Sequence, residues 1–190
     1  MSQAPVSQET TRGFEPPRNT QFSVFLNNRV GQLLDLVRIF DGQAATLAGL
    51  SVVDSADHAV VRILTSRAEL ARRLLLRRGM AFSEAEVLAV ELDHDKSLAH
   101  LCQSLLAAEV NIYYAYPLIV QPRGYPVIAV YTDDLLLSAQ LLRRKLFTLL
   151  AENDLGDNRS HGPSGNPGPS GNPGNPPNNP HPPSDRHSFQ

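Results

Sequence analysis

Apolar and polar residues alternate along the chain with two different periods. In residues 21–27 every second residue is apolar, namely Phe22, Val24 and Leu26, which predicts a half-buried β-strand. In residues 31–45 the apolar residues instead recur at intervals of three and four, which predicts a helix that packs along one side. A polar turn that contains Gly31 joins the two segments.

The same succession of patterns occurs twice, which predicts an internal duplication. The first copy covers residues 21–86 and the second covers residues 87–155. Strands are predicted at residues 21–27, 47–53, 58–64 and 80–85 of the first copy and at residues 87–92, 111–120, 126–132 and 147–151 of the second. Helices are predicted at residues 31–45, 67–78, 98–108 and 135–145. Each copy thus has the order strand, helix, strand, strand, helix, strand.

This order is that of a ferredoxin-like module, an α+β fold in which the helices cover one face of an antiparallel sheet. One such module leaves its second sheet face and its edge strands exposed, which is unfavourable for so small a unit. Glu86 is followed directly by Val87, so almost no linker joins the copies. We therefore expect the two copies to pack against each other or against another chain.

The two ends of the chain differ in composition from the duplicated region. Residues 1–20 form a polar leader and residues 156–190 are rich in Gly, Asn and Pro, and both segments are predicted to be disordered. The leader lacks the features of a signal peptide, and no apolar run is long enough to span a membrane.

A formal net charge of −2 gives no reason to expect a nucleic acid or a membrane as a partner. The single cysteine, Cys102, excludes an internal disulfide, and we expect a cytoplasmic protein.

The turn after the first strand is the first candidate site. Backbone N–H groups at the start of a helix lack partners within that helix and can bind a carboxylate. Residues 27–33 would present such groups next to Gly31. In a simpler interpretation, Asn28 caps the helix and Gly31 only turns the chain. The spacing alone leaves both interpretations open.

Two short motifs resemble those of a known family. Residues 28–31 (Asn-Arg-Val-Gly) closely resemble the Asn-Arg-Pro-Gly turn of ACT domains, with Val30 in place of proline. Residues 110–112 (Val-Asn-Ile) are similar to the Gly-Val-Asn-Ile segment at the second strand of that family. Together with the element order and the repeat length, the motifs make the chain similar to small proteins built from two tandem ACT domains. The resemblance covers residues 21–155.

ACT domains bind an amino acid between paired modules and regulate amino-acid metabolism, and the resemblance implies the same here. The ligand-binding residues that it implies are Asn28, Arg29, Val30, Gly31, Gln32, Leu33 and Asn111. The N–H groups of residues 29–33 would bind the ligand carboxylate, and Asn111 would supply its side-chain amide. The ligand would lie between modules or at a dimer interface, with a second copy or a metabolic enzyme as the protein partner.

The two copies depart from the ACT pattern in complementary ways. The first copy has the glycine turn but carries Thr46 where the asparagine is expected. The second copy has Asn111, but its turn at residues 93–97 lacks glycine. That turn also brings Asp93 and Asp95 near the place of a ligand carboxylate, which charge repulsion disfavours. We therefore expect one competent site, formed by the turn of the first copy.

The other chemically interesting residues have structural interpretations. Cys102 is predicted to be a core residue, and His94 to lie in a solvated turn rather than in a metal site. Basic residues at 67–78 are interpreted as a solvated helix face, because the third strand lacks the aromatic residues of RNA-binding modules. Tyr114 and Tyr116 share one strand face and either line a ligand pocket or, as we favour, pack between the copies.

No arrangement of residues in the sequence points to catalysis, and we expect neither a metal nor a cofactor. The leading hypothesis is a non-catalytic amino-acid sensor that acts by changing its association with an enzyme. One alternative is a regulatory subunit bound to a separate catalytic chain, as the resemblance to small subunits of acetolactate synthase allows. Another is an enzyme of unknown activity. The identity of the amino acid does not follow from the sequence, since selectivity depends on residues from both halves.

Overall fold

The computed structural model describes residues 16–27, 29–54 and 58–156, which form two modules of the same design. The strands of the first module are β1 (Thr20–Asn27), β2 (Leu47–Asp54), β3 (His58–Thr65) and β4 (Ala81–Glu86), and its helices are α1 (Gln32–Arg38) and α2 (Ala68–Arg77). The strands of the second are β5 (Leu88–Glu91), β6 (Ile112–Pro117), β7 (Val127–Thr132) and β8 (Thr148–Leu150), and its helices are α3 (Leu98–Leu106) and α4 (Leu135–Arg144). A 3₁₀ helix at Glu152–Leu155 follows.

The two sheets have the same topology. Their strand orders are β2-β3-β1-β4 and β6-β7-β5-β8, and each pairing is antiparallel. The first strand of each module is central and pairs with the third and fourth strands, as the split βαβ arrangement requires. The predicted α+β fold of two tandem ferredoxin-like modules is confirmed.

Three apolar clusters stabilise the fold. One lies between helices and sheet in each module, around Phe22 and Leu75 in the first and around Leu88 and Leu142 in the second. The third cluster, here called the inter-module core, contains residues from both sheets on the faces that carry no helices. Its buried residues are Ala48, Leu64, Val87, Ala89, Tyr116, Leu118, Val127, Ala129, Leu150 and Leu155. The two copies therefore cover each other's free sheet faces, as their direct connection predicts.

The connection between the modules is itself buried. Val87, between β4 and β5, has no exposed surface, and its N–H group donates to the carbonyl of Asn19 at 3.0 Å. The side-chain amide of Asn19 donates to the carbonyl of Leu150 at 2.8 Å, which links the start of β1 to the last strand of the second module. Asn19 and Thr20, which the sequence assigns to the leader, thus belong to the fold. Residues 1–15 of that leader, and the predicted tail from residue 157 onward, lie outside the described residues.

The first helix is much shorter than predicted. The apolar periodicity at residues 31–45 predicts one helix, but α1 ends at Arg38. After Arg38 the backbone forms tighter turns, because the N–H group of Phe40 donates to the carbonyl of Val37, only three residues earlier. Gly42 follows with φ of +67°, a conformation that ends a helix. Leu36 and Phe40 of the apolar stripe still reach the core, whereas Leu33 and Ala44 are exposed. The predicted period is therefore only partly satisfied.

The prediction that Cys102 is a core residue is wrong. Its thiol is exposed, and Leu98 on the same predicted stripe is 49% exposed. Only Leu101 and Leu105, four residues apart, are fully buried on α3. The helix therefore contacts its sheet along a narrower line than the apolar pattern suggests, and Cys102 lies beside that line.

Equivalent threonines at the ends of β3 and β7 differ in their hydrogen bonding. Thr132 Oγ1 lies 2.9 Å from Ser138 Oγ, and Ser138 in turn donates to the carbonyl of Asp134. In the first module Ala71 occupies the position of Ser138, and the buried hydroxyl of Thr65 has no hydrogen-bond partner among the described residues. A buried hydroxyl without a partner lowers stability.

We therefore expect opposite effects from the same substitution at the two threonines. Thr65→Val should stabilise the fold by about 1 kcal/mol because it removes an unsatisfied polar group, whereas Thr132→Val should destabilise it by about 1 kcal/mol because it breaks a hydrogen bond. Urea unfolding of each single variant measures both changes. A change of the same sign in both variants would contradict the assignment.

Candidate functional site

The Gly31 turn projects from the end of β1. Gly31 has φ of +93°, a left-handed conformation that favours glycine, and a Cβ atom added there would meet nothing within 4 Å. Val30 is fully exposed and Arg29 is exposed beside it. The N–H group of Arg29 donates to the carbonyl of Asn27 at 2.8 Å. Asn28 lies outside the described residues.

The helix that follows this turn begins without a side-chain cap. Gly31 is the residue before α1, and no side chain of the described structure accepts a hydrogen bond from the first turn of the helix. The Asp35 N–H group donates to the Gly31 carbonyl at 2.9 Å, which is the first regular helical bond. Gln32 is half-buried, while Leu33 is 41% exposed. The turn thus presents backbone N–H groups beside exposed apolar side chains.

The corresponding turn of the second module is capped by its own side chains. Ser97 Oγ accepts a hydrogen bond from the N–H group of His100 at 3.2 Å, at the start of α3. Asp93 Oδ1 accepts one from the N–H group of Asp95 at 3.1 Å. Two of the N–H groups that could bind a ligand in this turn are therefore already occupied.

Asn111 lies exposed directly before β6. Its N–H group donates to Asp133 Oδ1 at 3.1 Å, and its carbonyl accepts from the Asp133 N–H group at 3.2 Å. Thr46 and Ser66 form the same double link in the first module, at 2.9 and 3.0 Å. Within the described part of the chain, the side-chain amide of Asn111 makes no hydrogen bond, so it is available to a ligand.

The described structure does not join the two parts of the predicted site. No hydrogen bond or ion pair of the described residues connects the Gly31 turn with Asn111. Three cavities on the described surface, of about 590, 540 and 350 Å³, are lined by other residues. The turn and Asn111 are therefore separate exposed elements of one chain.

A buried polar cluster forms part of the contact between the modules. Gln21 Nε2 donates to Tyr114 Oη at 2.7 Å, and Tyr116 Oη donates to Gln21 Oε1 at 2.9 Å. The guanidinium of Arg62 lies 4.0 Å from the centre of the Tyr114 ring. Burial, with a smaller contribution from Tyr114, raises the pKa of Tyr116. The tyrosines thus pack between the copies, which is the interpretation that the sequence favoured.

Sequence reasoning missed two buried polar residues, Gln21 at this contact and Glu91 within the second module. Gln21 was expected on the polar side of a half-buried strand but has no exposed surface. Glu91 is 3% exposed and forms a two-point ion pair with Arg123, at 3.0 Å to Nε and 2.7 Å to Nη2. The one available signal was the pair of tyrosines on a single strand face, since buried hydroxyls need a polar partner.

None of the helices in the described ranges is long and apolar enough to cross a membrane. In the same ranges, no three His, Cys, Asp or Glu side chains are grouped closely enough to hold a metal ion. His94 is exposed in its turn, and its ring lies 5.0 Å from that of Tyr125.

Comparisons with known proteins agree with this architecture. A family model described as ACT domain pair matches residues 18–157. Protein BT0572 from Bacteroides thetaiotaomicron is similar in structure, with a TM-score of 0.65 and 23% identity over 74% of this chain and 96% of that chain. The ligand-free regulatory subunit of aspartate kinase from Thermus thermophilus has a TM-score of 0.49 and 8% identity, over 68% of this chain and 93% of that chain. A comparison with curated proteins found no match.

The family match spans both modules, from the residue before Asn19 to the residue after Gly156. It covers more than half of the 190 residues, and the observed fold is that of two tandem modules of this type. The chain belongs to the family of ACT domain pairs.

Proposed function

We propose that this ACT domain pair is a non-catalytic regulatory protein that binds an amino acid at the Gly31 turn. One observation carries the proposal: no side chain of the described residues caps the start of α1, whereas Ser97 caps the start of α3. An uncapped helix start leaves N–H groups for a ligand carboxylate, and a capped one does not. We accordingly infer one competent turn in each chain.

The chemistry of the exposed groups suits a small zwitterion. The N–H groups of Val30, Gly31 and Leu33 would bind its carboxylate, because those of Arg29 and Gln32 already donate to backbone carbonyls at 2.8 and 3.3 Å. The Asn111 amide oxygen would accept a hydrogen bond from its ammonium group. Val30, Leu33 and Leu34 are exposed near the turn and could contact an apolar side chain of the ligand. Because the turn and Asn111 are not joined within one chain, Asn111 would come from a second copy in a homodimer.

A screen of the twenty amino acids against the full chain tests this function. A specific ligand at 100 times its Kd should stabilise the protein by about 2.7 kcal/mol and raise its Tm. Calorimetric titration with that amino acid should then give one site per chain. Size-exclusion chromatography with and without ligand would show whether the protein is a homodimer. Co-elution of the protein with a catalytic chain from the native cell would instead support a bound regulatory subunit.

Two glycine variants separate binding from folding. Gly31 and Gly124 both have positive φ, +93° and +82°, and both have open space around a new Cβ atom. Alanine at either position should cost about 1 kcal/mol of stability because of the backbone conformation. Only Gly31→Ala should weaken amino-acid binding, by at least tenfold. Equal affinity in both variants, two equivalent sites per chain, or no binder among the twenty would refute the proposal.

A further inference from the structure

A cationic cavity lies on the outer face of the second module, away from the Gly31 turn. It has a volume of about 350 Å³ and is bordered by α3 and by the chain that leaves α4. Its polar and aromatic lining residues are Asp95, Lys96, His100, Gln103, Ser104, Lys145 and Phe147. A volume of this size is at the lower end of the range for small-ligand sites.

The distribution of lysine in the sequence singles out this cavity. The chain has 17 lysine and arginine residues, but Lys96 and Lys145 are its only lysines. Both lysines line this one cavity, although they are 49 positions apart in the sequence. Every other basic position of the chain carries arginine. Lysine binds phosphate as a compact point charge, whereas arginine is better suited to planar, two-point contacts.

The cavity has an excess of positive charge. Asp95 is the one acidic residue in its lining, against two lysines. Within the described part of the chain, neither lysine forms an ion pair. Lys96 Nζ lies 5.5 Å from the centre of the Phe147 ring, which orients its ammonium group without neutralising the charge.

A strained leucine adjoins the cavity and provides an independent observation. Leu146, between two lining residues, has φ of +62° although its side chain is 77% exposed. At the equivalent position after α2, the first module has Gly79 with φ of +66° and the same backbone hydrogen bonds. Glu109 after α3 has the same conformation, with φ of +56°, and the same pair of hydrogen bonds, so a left-handed residue ends all three helices. The conformation is nevertheless less favourable for leucine than for glycine. Leu106, next to the lining residue Ala107, is exposed to 74% as well.

We propose that this cavity binds a small organic phosphate monoester. Lys96 and Lys145 would bind the phosphate, and the exposed Leu146 and Leu106 would contact a short apolar or aromatic group beside it. Leu146 occupies a position where glycine would be more stable, and it presents an apolar side chain at the edge of a cationic cavity. This site is separate from the Gly31 turn, so each of the two can be tested without the other.

The two lysines give the test a direct signal. Reductive ¹³C-methylation of the full chain labels only Lys96, Lys145 and the N-terminal amine, and the methylated lysines keep their charge. On titration with phenyl phosphate, both lysine signals should shift with one common saturation curve while the N-terminal signal stays unchanged. Inorganic phosphate should shift the same two signals with at least fivefold weaker affinity. Absence of a lysine shift, or equal shifts of all three amines, would overturn the proposal.

Two variants define the roles of the cavity residues. The double variant Lys96→Gln/Lys145→Gln should weaken phenyl phosphate binding at least tenfold, as measured by the thermal shift. Arg73→Gln/Arg77→Gln, which removes the same charge from exposed positions of α2, should leave binding unchanged. Leu146→Gly should raise the Tm of the free protein by about 2–4 °C because it relieves the strain. It should nevertheless weaken the binding of phenyl phosphate and leave the binding of inorganic phosphate unchanged, a combination that misfolding cannot produce. Equal effects of the two double variants would contradict a specific site.

Discussion

Replacing Arg123 with alanine is expected to destabilise the protein by about 2–3 kcal/mol, because it leaves the buried carboxylate of Glu91 without its partner. Glu91 is 3% exposed and receives two hydrogen bonds from the guanidinium, at 3.0 and 2.7 Å. Arg123 is itself half-exposed, so the loss of stability should be smaller than that caused by breaking a fully buried ion pair. Urea unfolding at neutral pH measures the change.

Two further variants show whether the loss comes from the unpaired charge. Glu91→Gln in the Arg123→Ala background should recover at least half of the lost stability, since a neutral amide costs less to bury. Glu86→Gln removes the ion pair between Glu86 and Arg18, in which both side chains are more than half exposed. This change should lower the stability of the fold by less than about 0.5 kcal/mol. An Arg123→Ala effect as small as that of Glu86→Gln would show that water reaches Glu91 and that the pair is not buried.

Replacing Gly49 with valine is expected to destabilise the contact between the modules by about 2 kcal/mol. A Cβ atom at Gly49 would clash with Leu118 Cδ2 and lie 3.4 Å from Tyr116 Cε2. Gly49 of β2 and Leu118 form an antiparallel bridge there, and the Ile119 N–H group donates to the Ala48 carbonyl at 2.8 Å. A larger side chain at this position would therefore push the two sheets apart where this bridge joins them.

A double-mutant cycle tests that explanation. Leu118→Ala creates the space that the smaller substitution Gly49→Ala needs, so the double variant should lose at least 0.5 kcal/mol less than the sum of the single variants. Chemical unfolding of the four proteins gives the coupling energy. Strict additivity would mean that Gly49 and Leu118 do not compete for the same space.

The fold could be predicted because each half repeats one pattern of periods. Strand alternation around Phe22 and helical spacing before Gly79 agree with the structure, and the duplication supports each assignment with a second copy. The wrong predictions come from the same method. Helical spacing at residues 31–45 marked Phe40, which reaches the core after the helix has ended, but also Leu33, which is exposed. Spacing on α3 placed Cys102 on a buried face that is narrower than expected.

The site was predictable only in its local part. The left-handed Gly31 follows from a glycine between a strand and a helix. The capping of the second turn by Ser97 depends on one side-chain hydrogen bond, which the sequence permits but does not require. The contacts of Gln21 and Glu91 involve partners 93 and 32 residues away, and no local pattern reveals such pairings.

The path of the chain from β4 through Val87 into β5 has a mechanical consequence. A rotation of one module against the other would pull Val87 from the carbonyl of Asn19 and Leu150 from the Asn19 amide, and it would bring water to the inter-module core. These two hydrogen bonds and the inter-module core therefore oppose a rotation of one module against the other. If an amino acid regulates this protein, we expect it to act by changing how the protein binds a neighbouring molecule and not by bending the chain.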